Sequence, residues 1–320
     1  MQFNEAQQEA VDFYQGPCLT LAGPGSGKTA VINPRTKNLI EKYGVSPSEI
    51  LVVTFTKAAA MEMKERFLSL TNQTSTTATF GTFHAVFFTV LKYAYHYRAE
   101  NIIRDEQKVV FIRNLLRHFP IDYEDENECI QTLLSEISGV KNSNIPIEHY
   151  YSSNFPEHTF RDVFMNYQKM LQKNRLIDFD DMLVYTYELF SQRKDILALW
   201  QKKFRYILID EFQDINGLQY EIIRMLAAPE NNLFVVGDDD QSIYGFRGAR
   251  PEIMLNFEKD FPEVKKVFLS VNYRSQAAIV RGAGCVIKNN RQRFDKQIRA
   301  ARPEEEPIDI RVFQSPADEN

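Results

Sequence analysis

The stretch that decides the fold is Cys18-Leu19-Thr20-Leu21-Ala22-Gly23-Pro24-Gly25-Ser26-Gly27-Lys28-Thr29. It joins an apolar run to a glycine-rich turn and then to a helical pattern, which predicts a strand, a loop and a helix in that order. Glycines let successive backbone N–H groups point inward at a polyphosphate, and the start of the helix adds its partial positive charge. The stretch is therefore a candidate site for ATP or GTP, the alternative being a glycine-rich turn that binds nothing.

The residue types are close to the phosphate-binding pattern GxxxxGK(S/T), with Ala22 in place of the first glycine. In such a loop the lysine, here Lys28, reaches the outer phosphates, and the hydroxyl of Thr29 ligates Mg²⁺. The predicted nucleotide contacts of the loop are Gly23, Gly25, Ser26, Gly27, Lys28 and Thr29.

A second pattern is an apolar run that ends in paired acids, Tyr206-Ile207-Leu208-Ile209-Asp210-Glu211. A carboxylate at the carboxyl end of a strand can hold Mg²⁺, and its neighbour can take a proton from an attacking water. Taken alone, such a pair is usually a solvated strand end. Together with the phosphate loop, it predicts Asp210 as a Mg²⁺ ligand and Glu211 as the catalytic base.

Short apolar runs recur between longer helical patterns, which is typical of an α/β fold with a parallel sheet and helices on both faces. These runs are Cys18–Ala22, Ile50–Phe55, Thr77–Phe80, Tyr206–Asp210, Leu233–Gly237 and Val267–Val271. Between about Phe87 and Arg175 the strand signal is absent, which indicates an inserted helical subdomain. A helical pattern over Ser275–Asn290 and a candidate strand at Ile308–Phe313 follow.

Composition excludes several classes of protein. The 320 residues are 44% hydrophobic and 25% charged, as in an ordinary globular protein of about two domains. No basic start or apolar stretch of a signal peptide and no apolar run of membrane-spanning length occurs, so we expect a cytoplasmic protein with no membrane partner. Three widely spaced cysteines and five histidines without ligand spacing indicate neither a disulfide framework nor a transition-metal site. The net charge of −5 weighs mildly against a nucleic-acid partner.

In combination with the phosphate loop, four segments resemble superfamily 1 DNA helicases of the UvrD/Rep/PcrA type. The segments are Phe3–Val11, Asp210–Gln213, Val236–Ala249 and Asn272–Ser275. The resemblance extends from Phe3 to about Ser275. It implies a RecA-like sheet and the use of ATP and Mg²⁺.

The resemblance also implies further roles at the nucleotide. Gln7 would recognise the adenine edge and favour ATP, and Tyr273 would stack on adenine. Gln241 would sense the γ-phosphate, and Arg274 would act as an arginine finger. Arg35 matches a basic position of the family and is a further expected nucleotide contact.

Aromatic and basic groups follow three of the predicted strands, as in proteins that bind single-stranded nucleic acid without sequence preference. By resemblance, Phe55, Tyr244 and Phe246 would stack on bases, although core packing is the alternative for each aromatic. The other expected DNA contacts are Thr56, Lys57, Thr82, His84 and Arg247. Single-stranded or partly duplex DNA is the implied partner.

The resemblance implies an ATPase domain at residues 1–88 and 179–271, an inserted helical domain at 89–178, and the beginning of a second RecA-like domain at 272–320. The implied protein is a monomeric ATP-dependent DNA helicase or translocase with 3′ to 5′ polarity, in DNA repair or replication restart. Alternatives are the motor subunit of a recombination helicase–nuclease, a nucleotide-dependent DNA-binding module without unwinding activity, and a P-loop ATPase unrelated to nucleic acid. Because family motifs beyond Ser275 are absent, we expect this portion alone to bind weakly and to hydrolyse ATP poorly.

Two local features give further expectations. Pro34 lies about two turns into the helix after the phosphate loop, where proline costs about 3 kcal/mol, so we expect a kink or an early end after Ile32. The basic run from Arg274 to Arg302 is interpreted as the solvated face of a helix and its exit, with contact to DNA phosphates as the alternative.

Overall fold

The computed structural model describes residues 3–303 except 120, 122, 144, 246 and 247, together with 308 and 312. Its helices are α1 (Glu5–Asp12), α2 (Lys28–Glu41), α3 (Lys57–Thr71), α4 (Phe83–Tyr95), α5 (Asp105–Leu116), α6 (Glu126–Ser143), α7 (Glu157–Lys173), α8 (Phe179–Gln192), α9 (Lys194–Lys203), α10 (Gly217–Ala227), α11 (Pro251–Leu255), α12 (Phe257–Asp260) and α13 (Ala277–Ile287). Its strands are β1 (Cys18–Ala22), β2 (Ile50–Thr54), β3 (Thr79–Thr82), β4 (Tyr206–Ile209), β5 (Leu233–Gly237), β6 (Lys265–Leu269), β7 (Val271–Gln276) and β8 (Arg299–Arg302).

Six strands form one parallel sheet in the order β3-β2-β4-β5-β1-β6. The predicted α/β class is confirmed, and β1, β2, β4 and β5 are buried along their whole length, as expected for a sheet covered on both faces. The strand predicted at Thr77–Phe80 begins two residues later, and the run Val267–Val271 is divided between β6 and β7. Most of the candidate strand Ile308–Phe313 lies outside the described residues.

Successive side chains of a strand point to opposite faces of the sheet, so each face has its own hydrophobic core. Leu19 and Leu21 of β1 pack with α4, α8, α9 and α10 on one face. Cys18 and Ala22 of the same strand pack with α1, α2 and α3 on the other face. This is the two-residue period of a strand that is buried on both sides.

Helices α5, α6 and α7 have a core of their own, which includes Ile112, Leu133 and Phe160. Helix α4 instead packs on the sheet through Phe87 and Leu91. The separate helical core supports the predicted insertion, while the domain boundaries themselves stay predictions. Within the described ranges, none of the helices combines the length and the apolar character that a membrane span requires.

Helix α2 corrects the expectation for Pro34. The helix continues from Lys28 to Glu41 with Pro34 inside it, so the predicted early end after Ile32 is wrong. Val31, Ile32 and Leu39 are fully buried, and burial of each such side chain contributes about 1.5–3 kcal/mol. Their sum exceeds the roughly 3 kcal/mol cost of an internal proline, so tertiary packing decides the outcome.

A buried ionic contact joins α6, in the helical core, to the start of α8, which packs on the sheet. Lys141 Nζ of α6 lies 2.6 Å from Asp178 Oδ2 and 2.8 Å from Asp181 Oδ1 at the start of α8. Burial alone would lower the pKa of Lys141, but the two carboxylates outweigh burial and raise it. Asp178 also accepts a hydrogen bond from the backbone N–H of Asp181 and thereby caps α8.

We predict that Lys141→Met lowers the free energy of unfolding by about 3–5 kcal/mol, because it leaves buried carboxylates without their cation. Lys173→Met, at the exposed end of α7, is the matched control and should change stability by roughly 0.5 kcal/mol or less. Chemical denaturation of both variants makes the comparison. An equal loss in the two variants would show that the Lys141 contact does not hold the subdomains together.

Candidate nucleotide site and adjoining groove

The loop between β1 and α2 is folded tightly on itself. Gly25 and Gly27 have left-handed backbone angles, with φ of 64° and 87°, which only glycine adopts at little cost. The Ser26 hydroxyl donates to the Gly23 carbonyl at 2.7 Å. Helix α2 begins directly afterwards at Lys28, so its N-terminal N–H groups face the loop, as the sequence predicts.

The side-chain amide of Gln7 holds the loop through hydrogen bonds. Its Nε2 donates to the Ser26 carbonyl at 3.0 Å, while its Oε1 accepts from the Asn4 backbone N–H at 3.2 Å. The Asn4 side chain in turn caps α1 by accepting from the Gln7 N–H. Gln7 is only 6% exposed, so the amide that is expected to recognise adenine also braces the loop.

The acids after β4 meet the lysine of the loop. Lys28 Nζ lies 2.5 Å from Glu211 Oε2. Asp210 is buried beside them, and burial, followed by the nearby Glu211 carboxylate, raises the pKa of Asp210 to about 7. Asp210 Oδ1 has no hydrogen-bond partner in the described part of the chain.

Gln213 connects these acids to the turn after β5. Its Nε2 donates to Glu211 Oε2 at 2.9 Å, and its Oε1 accepts from the Asp238 N–H at 3.0 Å. Gln241 lies in the same turn, where its Nε2 donates to Asp238 Oδ2 at 2.6 Å and its N–H donates to the Asp238 carbonyl at 2.8 Å. A continuous chain of hydrogen bonds therefore connects Lys28 with Gln241.

Strand β7 also contacts the loop. The Tyr273 N–H donates to the Gly25 carbonyl at 3.0 Å, and the Tyr273 hydroxyl accepts from Asn4 Nδ2 at 2.8 Å. The Cβ of Arg274 is so close that a methyl group on Gly25 would lie 2.8 Å from it. The structure thus brings Tyr273 and Arg274 to the candidate nucleotide site.

Arg35 is not part of this site, so the expectation that it contacts the nucleotide is wrong in this structure. Its guanidinium lies over Phe234 at 4.4 Å and over Phe13 at 5.3 Å, and the residue is 2% exposed. Burial lowers the pKa of Arg35 to about 10. The side chain falls on the face of α2 that packs into the core, which excludes it from contact with a ligand.

A groove of about 920 Å³ opens next to the nucleotide site. Among its lining residues are Phe55, Thr56, His84 and Tyr244, which are predicted DNA contacts, and Glu211 and Gln241, which are predicted to act at the nucleotide. Members of both sets of predicted contacts therefore line one groove.

Four of the expected DNA contacts lie elsewhere or outside the described residues. Thr82 accepts a hydrogen bond from the Ala85 N–H and caps α4, and Lys57 is exposed at the first turn of α3. Neither lines the groove. Phe246 and Arg247 lie outside the described residues.

His84 has the character of a neutral side chain. Its ring packs edge-on against Phe179 with centroids 5.5 Å apart. Burial lowers the pKa of His84, which favours the neutral imidazole. A neutral ring can contact a strand by stacking or by a hydrogen bond.

Three residues of this site were not predicted from the sequence. Gln213 lies inside the acidic motif, where only its buried position reveals its bridging role. Arg293 and Lys296 pair with carboxylates after β5, so the interpretation of the basic run as a solvated face is wrong for these two residues. Their partners are more than fifty residues away in sequence, and no local pattern indicates them.

The parallel sheet, the glycine-rich loop after β1 and the acids after β4 define a RecA-like P-loop domain. Residues 3–262 match the UvrD/REP helicase N-terminal domain. The chain belongs to this family.

Several relatives are similar over nearly the whole chain. The putative ATP-dependent DNA helicase YjcD of Bacillus subtilis strain 168 is 40% identical over 325 residues, which cover 99% of this chain and 42% of that protein. The ATP-dependent DNA helicase PcrA of Staphylococcus aureus strain Mu50 is 37% identical over 95% of this chain and 42% of its own length. PcrA of Bacillus subtilis strain 168 is 38% identical over 92% of this chain and 40% of its own length. The chain thus spans about two fifths of the length of these relatives.

We predict that Gly25→Ala separates β7 from the phosphate loop, because the new methyl group would collide with Arg274 and Asn272. Gly44→Ala is the matched control, since Gly44 has a similar φ of 69° but nothing within 4 Å of the place that a new methyl group would take. Both variants carry the left-handed strain of about 1–2 kcal/mol. Only Gly25→Ala should accelerate amide hydrogen exchange in residues 271–276, and similar exchange in both variants would contradict the contact.

Proposed function

We propose that this chain is the ATP-binding portion of an ATP-dependent DNA helicase, which hydrolyses ATP with Mg²⁺ while it moves along single-stranded DNA. The observation that carries the proposal is the shared groove, in which Glu211 and Gln241 lie with Phe55, His84 and Tyr244. The names of the relatives, ATP-dependent DNA helicases, support the same activity.

At the phosphates, each side chain has a distinct role. Lys28 leaves Glu211 to pair with the outer phosphates, which releases the Glu211 carboxylate to accept a proton from the attacking water. Arg274, next to Gly25, contributes positive charge to the transition state. Gln241 donates to Asp238 in this structure and can exchange that acceptor for a γ-phosphate oxygen.

Asp210 and Thr29 fit the requirements of Mg²⁺, which prefers carboxylate and hydroxyl oxygens. Asp210 has a buried oxygen with no hydrogen-bond partner in the part of the chain that the structure describes. Burial, followed by the neighbouring Glu211 carboxylate, raises the pKa of Asp210, and a bound cation would favour its ionised form. When bound there, Mg²⁺ supplies neutralisation of negative charge on the phosphate oxygens.

Adenine recognition by Gln7 and Tyr273 completes the nucleotide site. Both residues contact the phosphate loop and Asn4, so they lie on the same side of the loop. The Tyr273 side chain is partly exposed and its hydroxyl is held by Asn4, which leaves a ring face for stacking. This arrangement favours ATP over GTP.

Coupling of ATP hydrolysis to movement on DNA depends on two residues that are close in sequence. They are Gln241, the proposed γ-phosphate sensor, and Tyr244, the proposed base-stacking residue. Gln241 precedes Tyr244 by three residues in the turn after β5. A change of hydrogen-bond partner at Gln241 therefore moves a predicted stacking residue directly. The wider context that fits this motor is a monomeric cytoplasmic enzyme of DNA repair or replication restart with 3′ to 5′ polarity.

The proposal is tested by the ATPase rate of this chain with and without single-stranded DNA. Stimulation by DNA is the expected result, even if the absolute rate of this portion is low. ATP hydrolysis that does not respond to DNA, combined with no binding of a single-stranded oligonucleotide, would refute it.

We predict that Tyr244→Ala weakens single-stranded DNA binding about 5- to 150-fold, since a stacked base contributes about 1–3 kcal/mol. Tyr151→Ala, at an exposed tyrosine of the helical subdomain, is the control and should leave affinity unchanged. Fluorescence anisotropy with a labelled oligonucleotide measures both. Equal affinity of the two variants would remove Tyr244 from the DNA site.

We predict that Gln241→Ala keeps ATP affinity within about threefold but abolishes stimulation of ATP turnover by DNA, because the sensor no longer responds to the γ-phosphate. Gln73→Ala, an exposed glutamine after α3, is the control. Steady-state ATPase rates with increasing oligonucleotide provide the measurement. If stimulation persists in Gln241→Ala, coupling runs through another group.

A further inference from the structure

The segment after α13 folds back across the candidate nucleotide site. Residues 293–298, here called the clamp segment, lie over the carboxyl ends of β1 and β5. The Ile298 side chain packs so closely on Gly23 that a methyl group there would collide with it. Strand β8 then pairs with β7 beside the phosphate loop. The clamp segment therefore contacts both the loop and the turn after β5.

The main contact of the clamp segment is Lys296. Its Nζ lies 2.5 Å from Asp238 Oδ1, 2.5 Å from Asp239 Oδ1 and 2.9 Å from Asp240 Oδ2. The Lys296 side chain is only 2% exposed. These three acids, the carboxylate cluster, could otherwise hold a metal ion, but the ammonium group of Lys296 lies among their oxygens instead.

Two further contacts complete the attachment. Arg293 donates from Nε and Nη2 to both oxygens of Asp240 at 2.7 Å each. The Phe294 N–H donates to Asp239 Oδ2 at 2.8 Å. Two cations therefore face three carboxylates, and removal of either cation increases the excess negative charge next to the phosphate loop.

The carboxylate cluster is in direct contact with the γ-phosphate sensor. Asp238 accepts from Lys296 on Oδ1 and from Gln241 on Oδ2. Its N–H donates to Gln213, which in turn holds Glu211. Lys296 is thus separated from Gln241 by Asp238 alone, and from the proposed base Glu211 by Asp238 and Gln213.

The charge of Lys296 is maintained in this environment. Burial alone would lower its pKa, but Asp238 and Asp239 outweigh burial and raise that pKa. Lys296 is therefore an ammonium ion throughout the neutral range. Its positive charge, rather than its length alone, holds the cluster together.

We propose that Lys296, assisted by Arg293, is a positioning residue that holds Asp238 and thereby sets the orientation of Gln241 toward a γ-phosphate. The proposal rests on the proposed ATPase function. Through this contact, the start of the second predicted domain acts directly on the turn that carries Gln241, and bound DNA is not needed for that effect. Partial neutralisation of the carboxylate cluster also weakens a repulsion that would act most strongly on the terminal phosphate.

The test compares Lys296→Met with Lys288→Met, which removes an exposed cation eight residues earlier. Affinities are measured with fluorescent ATP and ADP analogues on the full chain. Lys296→Met should weaken ATP binding about tenfold and ADP binding less than about threefold, because excess negative charge opposes the γ-phosphate most. Lys288→Met should change neither affinity.

A second-site variant separates positioning from simple loss of structure. Asp239→Asn added to Lys296→Met removes one excess negative charge and keeps an oxygen that can accept from the Phe294 N–H. The double variant should recover most of the preference for ATP over ADP. Equal loss of ATP and ADP affinity in Lys296→Met, or no recovery in the double variant, would overturn the positioning role.

Hydrogen exchange distinguishes failure of this proposal from failure of the proposed function. Lys296→Met should accelerate exchange in residues 238–245 as well as in 293–298, whereas Lys288→Met should accelerate neither. If the unmodified chain binds no nucleotide, the ATPase proposal fails, and the exchange result alone decides whether Lys296 holds the turn. Unchanged hydrogen exchange in residues 238–245 of Lys296→Met would show that Lys296 does not hold this turn in place.

Discussion

Parallel pairing of β5 with both β1 and β4 is the constraint on which the rest of the structure depends. Parallel strands end at the same edge of a sheet, so residues that follow three distant strands become neighbours. The glycine-rich loop follows β1, Asp210 follows β4 and Asp238 follows β5. Residues separated by about two hundred positions in sequence thereby form one polar site.

The polar groups at this edge are held by one another rather than by solvent. Lys28, Glu211, Gln213 and Asp238 form an uninterrupted series of contacts, and Lys296 closes the series from the far side. Buried charges are costly unless they are paired, so displacement of one member affects the others. This dependence of each contact on the next fits the proposed response of the site to a terminal phosphate.

The position of the groove follows from the same edge of the sheet. Phe55 follows β2 and Tyr244 follows β5, while Asn142 of α6 lines the groove from the helical subdomain. The buried contact of Lys141 with Asp178 and Asp181 lies next to Asn142 in sequence and fixes α6 against α8. Helix α6 therefore lines one side of the groove.

The sequence by itself determined those elements that depend on interactions between residues only a few positions apart. The phosphate loop and the buried strands were predicted because glycine angles and apolar runs act over a few residues. Tertiary structure alone decided that α2 continues through Pro34, that Arg35 is buried between Phe13 and Phe234, and that Lys296 lies among three carboxylates. In each of these cases the deciding free energy comes from burial or ion pairing with residues distant in sequence, which no local pattern contains.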